Sequence, residues 1–269
     1  MDQREYQRRH YDHHYPRHAA AVRQQLAHPL FRSWNDRLAA KVLDQAPPGP
    51  APAGAGRPLC LYEVACGEGL LASALARVAA ERGVTLAYSG TDLSPAGLEV
   101  ARSAVAGDFV AGDAVEVTAG MAAGSADVVV IKNLLHHLDD PAALLREAAR
   151  VAGPEGRVVI VEARAANLAF FLSTFIFAYR RERYFFRGRR RNLTGPVAAA
   201  GLRVVHAEVW SWLPFELFLA IRVDWFRRLL SSGEPATLAR INGLDEWLTR
   251  AVPGGACYDL WSVAAASRS

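Results

Sequence analysis

The stretch LYEVACGEGLL, residues 61–71, decides the fold. An apolar run leads into a turn punctuated by Gly67 and Gly69 and then into a helical pattern, and Ala72 stands where a third small residue completes the dinucleotide fingerprint G-x-G-x-x-G/A. Taken alone, this strand, turn and helix suit a nicotinamide or flavin cofactor as well as any other nucleotide. Glu63 argues against a diphosphate, because a carboxylate near the strand end would repel it.

Outward from this turn, predicted strands and helices alternate along the chain. Strands are predicted at 59–65, 86–91, 108–112, 126–131, 157–162, 202–210 and 257–264. Helices are predicted at 19–46, 69–82, 95–105, 141–151, 194–200, 214–230 and 235–250. The alternation predicts an α/β fold with a doubly wound, Rossmann-like, mostly parallel sheet and helices on both of its faces.

The domain organisation follows from changes in composition. Residues 47–58 are rich in Pro, Gly and Ala and are predicted to form a flexible linker. The linker separates a predicted N-terminal helical lid, residues 1–46, from a main domain over 59–269. Within that domain, the segments near 165–192 and 213–252 interrupt the alternation and are predicted to be cap insertions.

Composition and charge limit the classes of protein to which this sequence can belong. The 269 residues are 51% hydrophobic and 22% charged, which excludes disorder over the whole length. The net charge of +4 is only a weak sign of anionic partners. The three cysteines have no C-x-x-C spacing, and the start of the sequence has no apolar secretory stretch. No apolar run approaches the ~20 residues that a membrane span needs. These features predict a soluble, cytoplasmic protein.

Acidic residues follow the predicted strands at the edge where a doubly wound sheet binds its ligand. Asp92 ends the second strand, where a carboxylate holds a ribose diol, and Asp113 ends the third, where it can accept from an adenine amine. Glu63 adds a third carboxylate. Three carboxylates around one crevice suit a nucleoside that is positively charged and lacks phosphates.

In these features the chain resembles the class I S-adenosylmethionine-dependent methyltransferases over roughly residues 59–162. The segment EVACGEG matches their E/D-x-G-x-G-x-G turn except that Ala65 replaces the first glycine. The resemblance implies a seven-stranded sheet and S-adenosyl-L-methionine as the cofactor. The cofactor-binding residues that it implies, together with the acidic strand ends, are Tyr11, Glu63, Ala65, Cys66, Gly67, Gly69, Asp92, Leu93, Asp113, Ala114 and Asn133.

The resemblance also assigns parts of the cofactor to these residues. The turn from Ala65 to Gly69 would contact the methionyl and ribose parts, and Asn133 would lie by the methionyl ammonium. Leu93 would lie under the adenine, whose edge Asp113 and Ala114 would read. Cys66 has no partner in the pattern, and its backbone is predicted to matter more than its thiol.

Catalytic candidates come from NLLHHLDDP, the segment after the fourth strand, which borders the substrate pocket in the resembled family. Methyl transfer is an in-line displacement, so the protein aligns the reactants and removes a proton from an acidic acceptor. His136 and His137 are the candidate bases, because histidine titrates near neutral pH. A bond from one of them to its own loop is the structural alternative.

The N-terminal segment allows two interpretations. His10, His13, His14 and His18 could face a metal ion at helical spacing, but Pro16 interrupts a helix there. We favour a lid in which Tyr11 or Tyr15 covers the cofactor, and we predict no metal site.

The predicted caps point to the acceptor. Aromatic residues crowd 170–186, and with those at 210–218 they predict an apolar or aromatic small molecule. Arginines at 180–191 form a solvated face or meet an anionic substrate tail, a carrier protein or an anionic membrane surface. An exposed aromatic cap could also pair two subunits as a homodimer.

Three functions remain open at this point. The first is methyl transfer to a hydroxyl, amine or activated carbon of a small molecule. The second is methylation of nucleic acid, which we do not expect because no N-P-P-Y-type segment follows the fourth strand. The third is a protein that binds S-adenosylmethionine for a non-methylating reaction or for binding alone, and its cofactor crevice would look the same.

Overall fold

The computed structural model describes residues 28–47, 57–163, 193–211, 234–253 and 258–265. Predictions about the N-terminal segment with Tyr11, most of the linker, the aromatic and arginine-rich segment and the helix at 214–230 therefore lie outside the described residues.

A seven-stranded sheet forms the centre of the protein, in the order β3-β2-β1-β4-β5-β7-β6. The strands are β1 Leu59–Val64, β2 Leu86–Asp92, β3 Asp108–Ala111, β4 Val128–Lys132, β5 Arg157–Ala163, β6 Leu202–Trp210 and β7 Tyr258–Ala265. The first five are parallel, whereas β7 runs antiparallel to both of its neighbours, β5 and β6. The predicted doubly wound, mostly parallel α/β fold is confirmed.

The sheet topology places a crevice beside β1. This strand pairs with β2 on one side and β4 on the other, so the connections leave it in opposite directions. Val128 to Ile131 of β4 are all buried, as expected for a central strand covered on both faces. Ligands bind at such a switch point, outside the carboxyl ends of the strands.

Helices cover both faces of the sheet. They are α1 Pro29–Leu43, α2 Leu70–Glu81, α3 Pro95–Ala104, α4 Ala114–Gly120, α5 Pro141–Ala152, α6 Thr194–Ala199 and α7 Pro235–Ala251. One core cluster joins α1 and α2 to the sheet and the other joins α5 and α6 to its opposite face. Within the described ranges, no helix has both the length and the apolar composition that crossing a bilayer requires.

Helix α1 belongs to the core. Pro29 occupies its first turn, where the missing N–H costs nothing, and Trp34, Leu38 and Val42 lie at helical spacing on one fully buried face. The segment 1–46 is predicted to be a lid, and its residues 29–43 pack against α2 and the sheet. The lid remains a prediction for the residues before 28.

A buried polar network fixes α7, the described part of the second predicted cap, against α1. Arg37 Nη2 lies 2.6 Å from Asp245 Oδ2, and Asp245 is almost completely buried. Ser211 follows β6; its hydroxyl accepts from Trp34 Nε1 at 3.0 Å and donates to the Asp245 carboxylate at 3.3 Å. The network therefore joins α1, the end of β6 and α7.

Candidate functional site

A cavity of ≈ 270 Å³ opens at the carboxyl ends of the central strands. Its walls come from residues in four segments, 63–71, 92–93, 112–114 and 132–138, which are the ends of β1, β2, β3 and β4. The size is close to the lower end of small-molecule pockets. The four strand ends that the sequence singled out therefore meet around one cavity.

The turn between β1 and α2 has the backbone that its glycine pattern predicts. Gly67 and Gly69 have φ of 54° and 74°, and Ala65 adopts the same left-handed region at φ 57°. Glycine adopts this left-handed region freely, whereas for alanine it costs about 1 kcal/mol of strain. Gly69 does not line the cavity; a Cβ there would meet Ala101 Cβ at 3.0 Å, so Gly69 allows α2 to pack on α3.

Asp92 is fixed by the backbone around it. Its Oδ2 accepts from the Gly67 N–H and its Oδ1 from the Ser94 N–H, both at 2.9 Å. A carboxylate oxygen can accept more than one hydrogen bond, so these bonds to the turn are compatible with a diol at the same carboxylate. Leu93 follows it into the cavity wall.

Glu63 is a buried carboxyl group at the floor of the cavity. The Tyr88 hydroxyl donates to its Oε2 at 2.7 Å. Burial raises its pKa to about 7, while the Tyr88 hydrogen bond and the charge of Lys132 act in the opposite direction. Burial also raises the pKa of the Cys66 thiol, which makes that side chain a poor nucleophile.

Glu68 is a second buried carboxyl group, which the sequence analysis missed. It lines the cavity with 7% of its surface exposed, and its Oε1 has no hydrogen-bond partner among the described residues. Burial and the neighbouring Asp92 raise its pKa to about 7. The sequence does show that Glu68 is an acidic residue within the glycine turn. It occupies a variable position of the motif, however, and an acidic residue at such a position does not by itself indicate a functional site.

Asp113 begins helix α4. Its Oδ1 accepts from the N–H groups of Val115 and Glu116 at 2.9 and 3.2 Å, which makes it a helix N-cap. No helix was predicted here from the sequence. Asp113 and Ala114 line the cavity, and their contact with adenine stays a prediction.

A buried carboxylate shapes the segment after β4. Asn133 has φ 52°, and a single turn of 3-10 helix follows over Leu135–His137. Glu162 at the end of β5 accepts the N–H groups of Leu134 and Leu135 on Oε1, at 2.9 and 2.6 Å. One side chain therefore holds the start of this turn.

The two candidate bases, His136 and His137, have different surroundings. His136 Nδ1 lies 2.6 Å from Glu162 Oε2, and both side chains are buried. His137 lines the cavity, with its ring centroid 4.1 Å from that of His136. Of the two, only His137 is in a position to meet a bound acceptor.

The structure thus gathers most of the predicted site residues in one place. The predicted residues that line the cavity are Glu63, Ala65, Cys66, Gly67, Asp92, Leu93, Asp113, Ala114, Asn133 and His137. Gly69 and His136 pack behind the wall, and Tyr11 lies outside the described residues. Lining residues that were not predicted are Glu68, Leu70, Leu71, Gly112, Lys132, Leu134 and Leu138.

The seven-stranded sheet with an acidic cavity at its switch point is the arrangement in which doubly wound α/β proteins bind nucleotide ligands. Residues 62–160 match a family described as "Methyltransferase domain". That segment contains all four cavity-lining strand ends. Over these residues the chain is therefore similar to a methyltransferase domain, and this similarity supports the predicted cofactor, S-adenosyl-L-methionine.

Individual proteins with related sequences agree with this assignment. A ubiquinone biosynthesis O-methyltransferase of Xanthomonas oryzae pv. oryzae is 33% identical over 118 residues, which is 42% of this chain and 46% of that protein. The chain thus spans about half the length of the curated relatives it matches.

Solved structures share the fold. A SAM-dependent methyltransferase from Archaeoglobus fulgidus superimposes with a TM-score of 0.53 at 16% identity, covering 86% of this chain and 93% of that one. The [4+2]-cyclase SpnF superimposes with a TM-score of 0.50 at 18% identity, covering 86% of this chain and 80% of that one. At such identities the similarity establishes the fold alone.

Proposed function

We propose that this protein transfers a methyl group from S-adenosylmethionine to a hydroxyl group of an apolar or aromatic small molecule. The observation that carries the proposal is that the methyltransferase segment, residues 62–160, supplies every described residue that lines one acidic cavity. The name of the relatives, ubiquinone biosynthesis O-methyltransferase, favours oxygen over the amine and carbon acceptors that the sequence leaves open.

The described residues fit this cofactor chemically. The cavity wall carries four carboxyl groups, those of Glu63, Glu68, Asp92 and Asp113, and the buried Glu68 Oε1 lacks a partner among the described residues. A buried oxygen of this kind is costly until a donor reaches it. Glu63 and Glu68 would hold cationic or hydroxyl donors of the ligand, and Asp92 its ribose. When bound, the cofactor supplies a methyl group activated by a positive sulfur.

The acceptor would bind at the side of the cavity formed after β4. Leu134 and Leu138 give this side an apolar wall, and His137 lies between them in sequence. A ring nitrogen of His137 would take the hydroxyl proton while the oxygen gains the methyl group, so that a methyl ether and a protonated imidazole result. His136 would act as an anchor of the segment, because Glu162 already occupies its Nδ1.

Titration calorimetry tests the cofactor, and mass spectrometry tests the reaction. The protein should bind S-adenosylhomocysteine and should not bind NAD. With S-adenosylmethionine and a panel of phenols and catechols, with and without apolar chains, one acceptor should gain one methyl group. If NAD binds and S-adenosylhomocysteine does not, the proposal is wrong.

Substitution of His137 tests the base. His137→Ala should lower turnover by about 10²-fold or more with S-adenosylhomocysteine affinity retained, because general bases contribute on that scale. His206→Ala is the matched control, since His206 is half-exposed on β6 and lies outside the cavity wall. Equal turnover in both variants would remove His137 from the mechanism.

A non-methylating reaction is the second candidate that the same experiment addresses. The structural neighbour SpnF is named a [4+2]-cyclase, so this fold also occurs in a protein that is named for a different activity. Binding of S-adenosylhomocysteine without methyl gain in any acceptor, and with a changed product of unchanged mass, would favour that candidate.

A further inference from the structure

Lys132 brings a positive charge into a cavity whose other charged groups are mainly acidic. It is the last residue of β4 and lines the cavity together with Glu63 and the segment after β4. Among the described lining residues, it is the only lysine or arginine. The nucleoside and sulfonium parts of the proposed cofactor do not require such a group.

The sheet register places Lys132 beside Glu63. Glu63 pairs with Val130 of the adjacent parallel strand, and Lys132 follows Val130 by two residues, on the same face of the sheet. The two side chains therefore leave neighbouring strands in the same direction. Their proximity also affects Glu63 directly, because the charge of Lys132 lowers the pKa of that carboxyl group against the effect of burial.

The ring of Trp34 forms an aromatic shelf, against which the Lys132 side chain packs. Its Nζ lies 5.8 Å from the ring centroid of Trp34, within the range of a cation–π contact. Trp34 is itself immobilised, because it is fully buried, donates to the Ser211 hydroxyl and packs on Trp210 and Tyr258. The ammonium group is thus positioned before any ligand arrives, which reduces the entropic cost of using it.

A carboxyl and an ammonium group side by side match the two charges of an α-amino acid. We propose that Glu63 and Lys132 together recognise the amino acid end of S-adenosylmethionine, with Lys132 binding its α-carboxylate. The inference rests on the proposed function and adds the residue that distinguishes the intact cofactor from analogues without a carboxylate. Glu63 takes the α-ammonium in this arrangement.

The experiment compares two ligands in two proteins by titration calorimetry at about pH 8.5, where Glu63 is largely ionised. The ligands are S-adenosylhomocysteine and its decarboxylated analogue, which keeps the ammonium group. Wild type should bind S-adenosylhomocysteine more tightly. Lys132→Met, which keeps an apolar stem over Trp34, should lose about tenfold or more in affinity for S-adenosylhomocysteine, as expected for a hydrogen bond between charged groups.

The decarboxylated analogue provides the internal comparison. Lys132→Met should bind it as tightly as wild type does, or more tightly, because a like charge near its ammonium group has been removed. Comparing the two ligands within one variant also removes the effect of a partly unfolded sample, which would weaken both equally. Lys41→Met is the matched control; Lys41 pairs with Glu208 outside the cavity wall and should leave both affinities unchanged.

The outcomes separate the inference from the function on which it rests. No binding of S-adenosylhomocysteine by wild type would contradict the proposed function itself. Binding by wild type with equal loss of both ligands in Lys132→Met would mean that Lys132 only compensates the charge of Glu63, and the inference would be wrong. The inference would also be wrong if neither affinity changed, as expected if Lys132 met an acidic acceptor instead.

Discussion

At the scale of single residues, two carboxyl groups of the cavity keep their protons up to a higher pH than carboxyl groups usually do. Glu63 and Glu68 have pKa values raised from 4.5 to about 7, in both cases mainly by burial. Without a ligand, the folded protein therefore retains protons that the unfolded chain releases between about pH 4.5 and pH 7. These two groups consequently make the ligand-free fold less stable as the pH rises through that window.

The same protons predict the pH dependence of cofactor binding. An ammonium group prefers an ionised carboxylate as its partner, so the affinity for S-adenosylhomocysteine, which carries an α-ammonium, should rise about tenfold between about pH 6 and pH 8 if one such carboxyl group must ionise. Calorimetry near pH 7 in buffers of different ionisation enthalpy should show proton release on binding. Glu68→Gln should release fewer protons than wild type. An affinity that falls with pH would contradict this account.

Some of these residues can be predicted from the sequence and others cannot, for physical reasons. Glu63 and Asp92 end apolar strands, so their place at the sheet edge follows from the strand pattern alone. Glu68 and Lys132 were missed, because their importance depends on burial and on neighbouring strands. Ala65 shows the opposite case: it replaces a motif glycine, and its left-handed φ of 57° is a conformation that glycine adopts readily.

At the scale of elements, the segment from 133 to 138 depends on one carboxylate. Glu162 accepts two backbone N–H groups and contacts His136, so it determines which of the two histidines faces the cavity. Adjacent histidines look equivalent in a sequence. In the structure the two side chains point in different directions, because they lie in a turn of 3-10 helix. The carboxylate that stabilises this turn, that of Glu162, lies on another strand.

Removing that carboxylate should release the segment. In Glu162→Ala, amide hydrogen exchange of a peptide covering 133–138 should speed up by about tenfold or more, because two N–H groups lose their buried acceptor. Asp127→Ala removes a carboxylate that accepts from the Cys60 N–H elsewhere in the sheet, and it should leave this peptide unchanged. Unchanged exchange in Glu162→Ala would mean that local packing alone holds the turn.

The bounds of the strands followed the sequence closely. Strands β1, β2, β3, β5, β6 and β7 begin and end within one residue of their predicted bounds, and β4 begins two residues later than predicted. Helix α4 was not predicted, because its seven residues contain only one buried side chain, that of Thr118. Asp113 was interpreted as a ligand contact, whereas its first structural role is to cap this helix.

At the scale of the whole molecule, α1 and α7 are distant in sequence and are joined through a buried charge. Asp245 pairs with Arg37 across 208 positions and accepts from Ser211, which follows the last residue of β6. The interaction is non-local, and no periodicity in the sequence indicates it. Trp34 belongs to the same network and lies under Lys132, so the packing of α7 reaches the cavity through α1.

Substitution of Asp245 should therefore affect stability and the cavity together. Asp245→Ala leaves the largely buried Arg37 without its closest partner and should lower the free energy of unfolding by about 3 kcal/mol, measured by denaturant titration. The exposed pair of Arg82 and Asp44 is the control, and Arg82→Ala should cost less than about 1 kcal/mol. If the Trp34 shelf depends on this network, Asp245→Ala should also weaken S-adenosylhomocysteine binding under conditions where the protein remains folded. Full affinity together with the expected loss of stability would show that the shelf is held by the aromatic packing of Trp210 and Tyr258 alone.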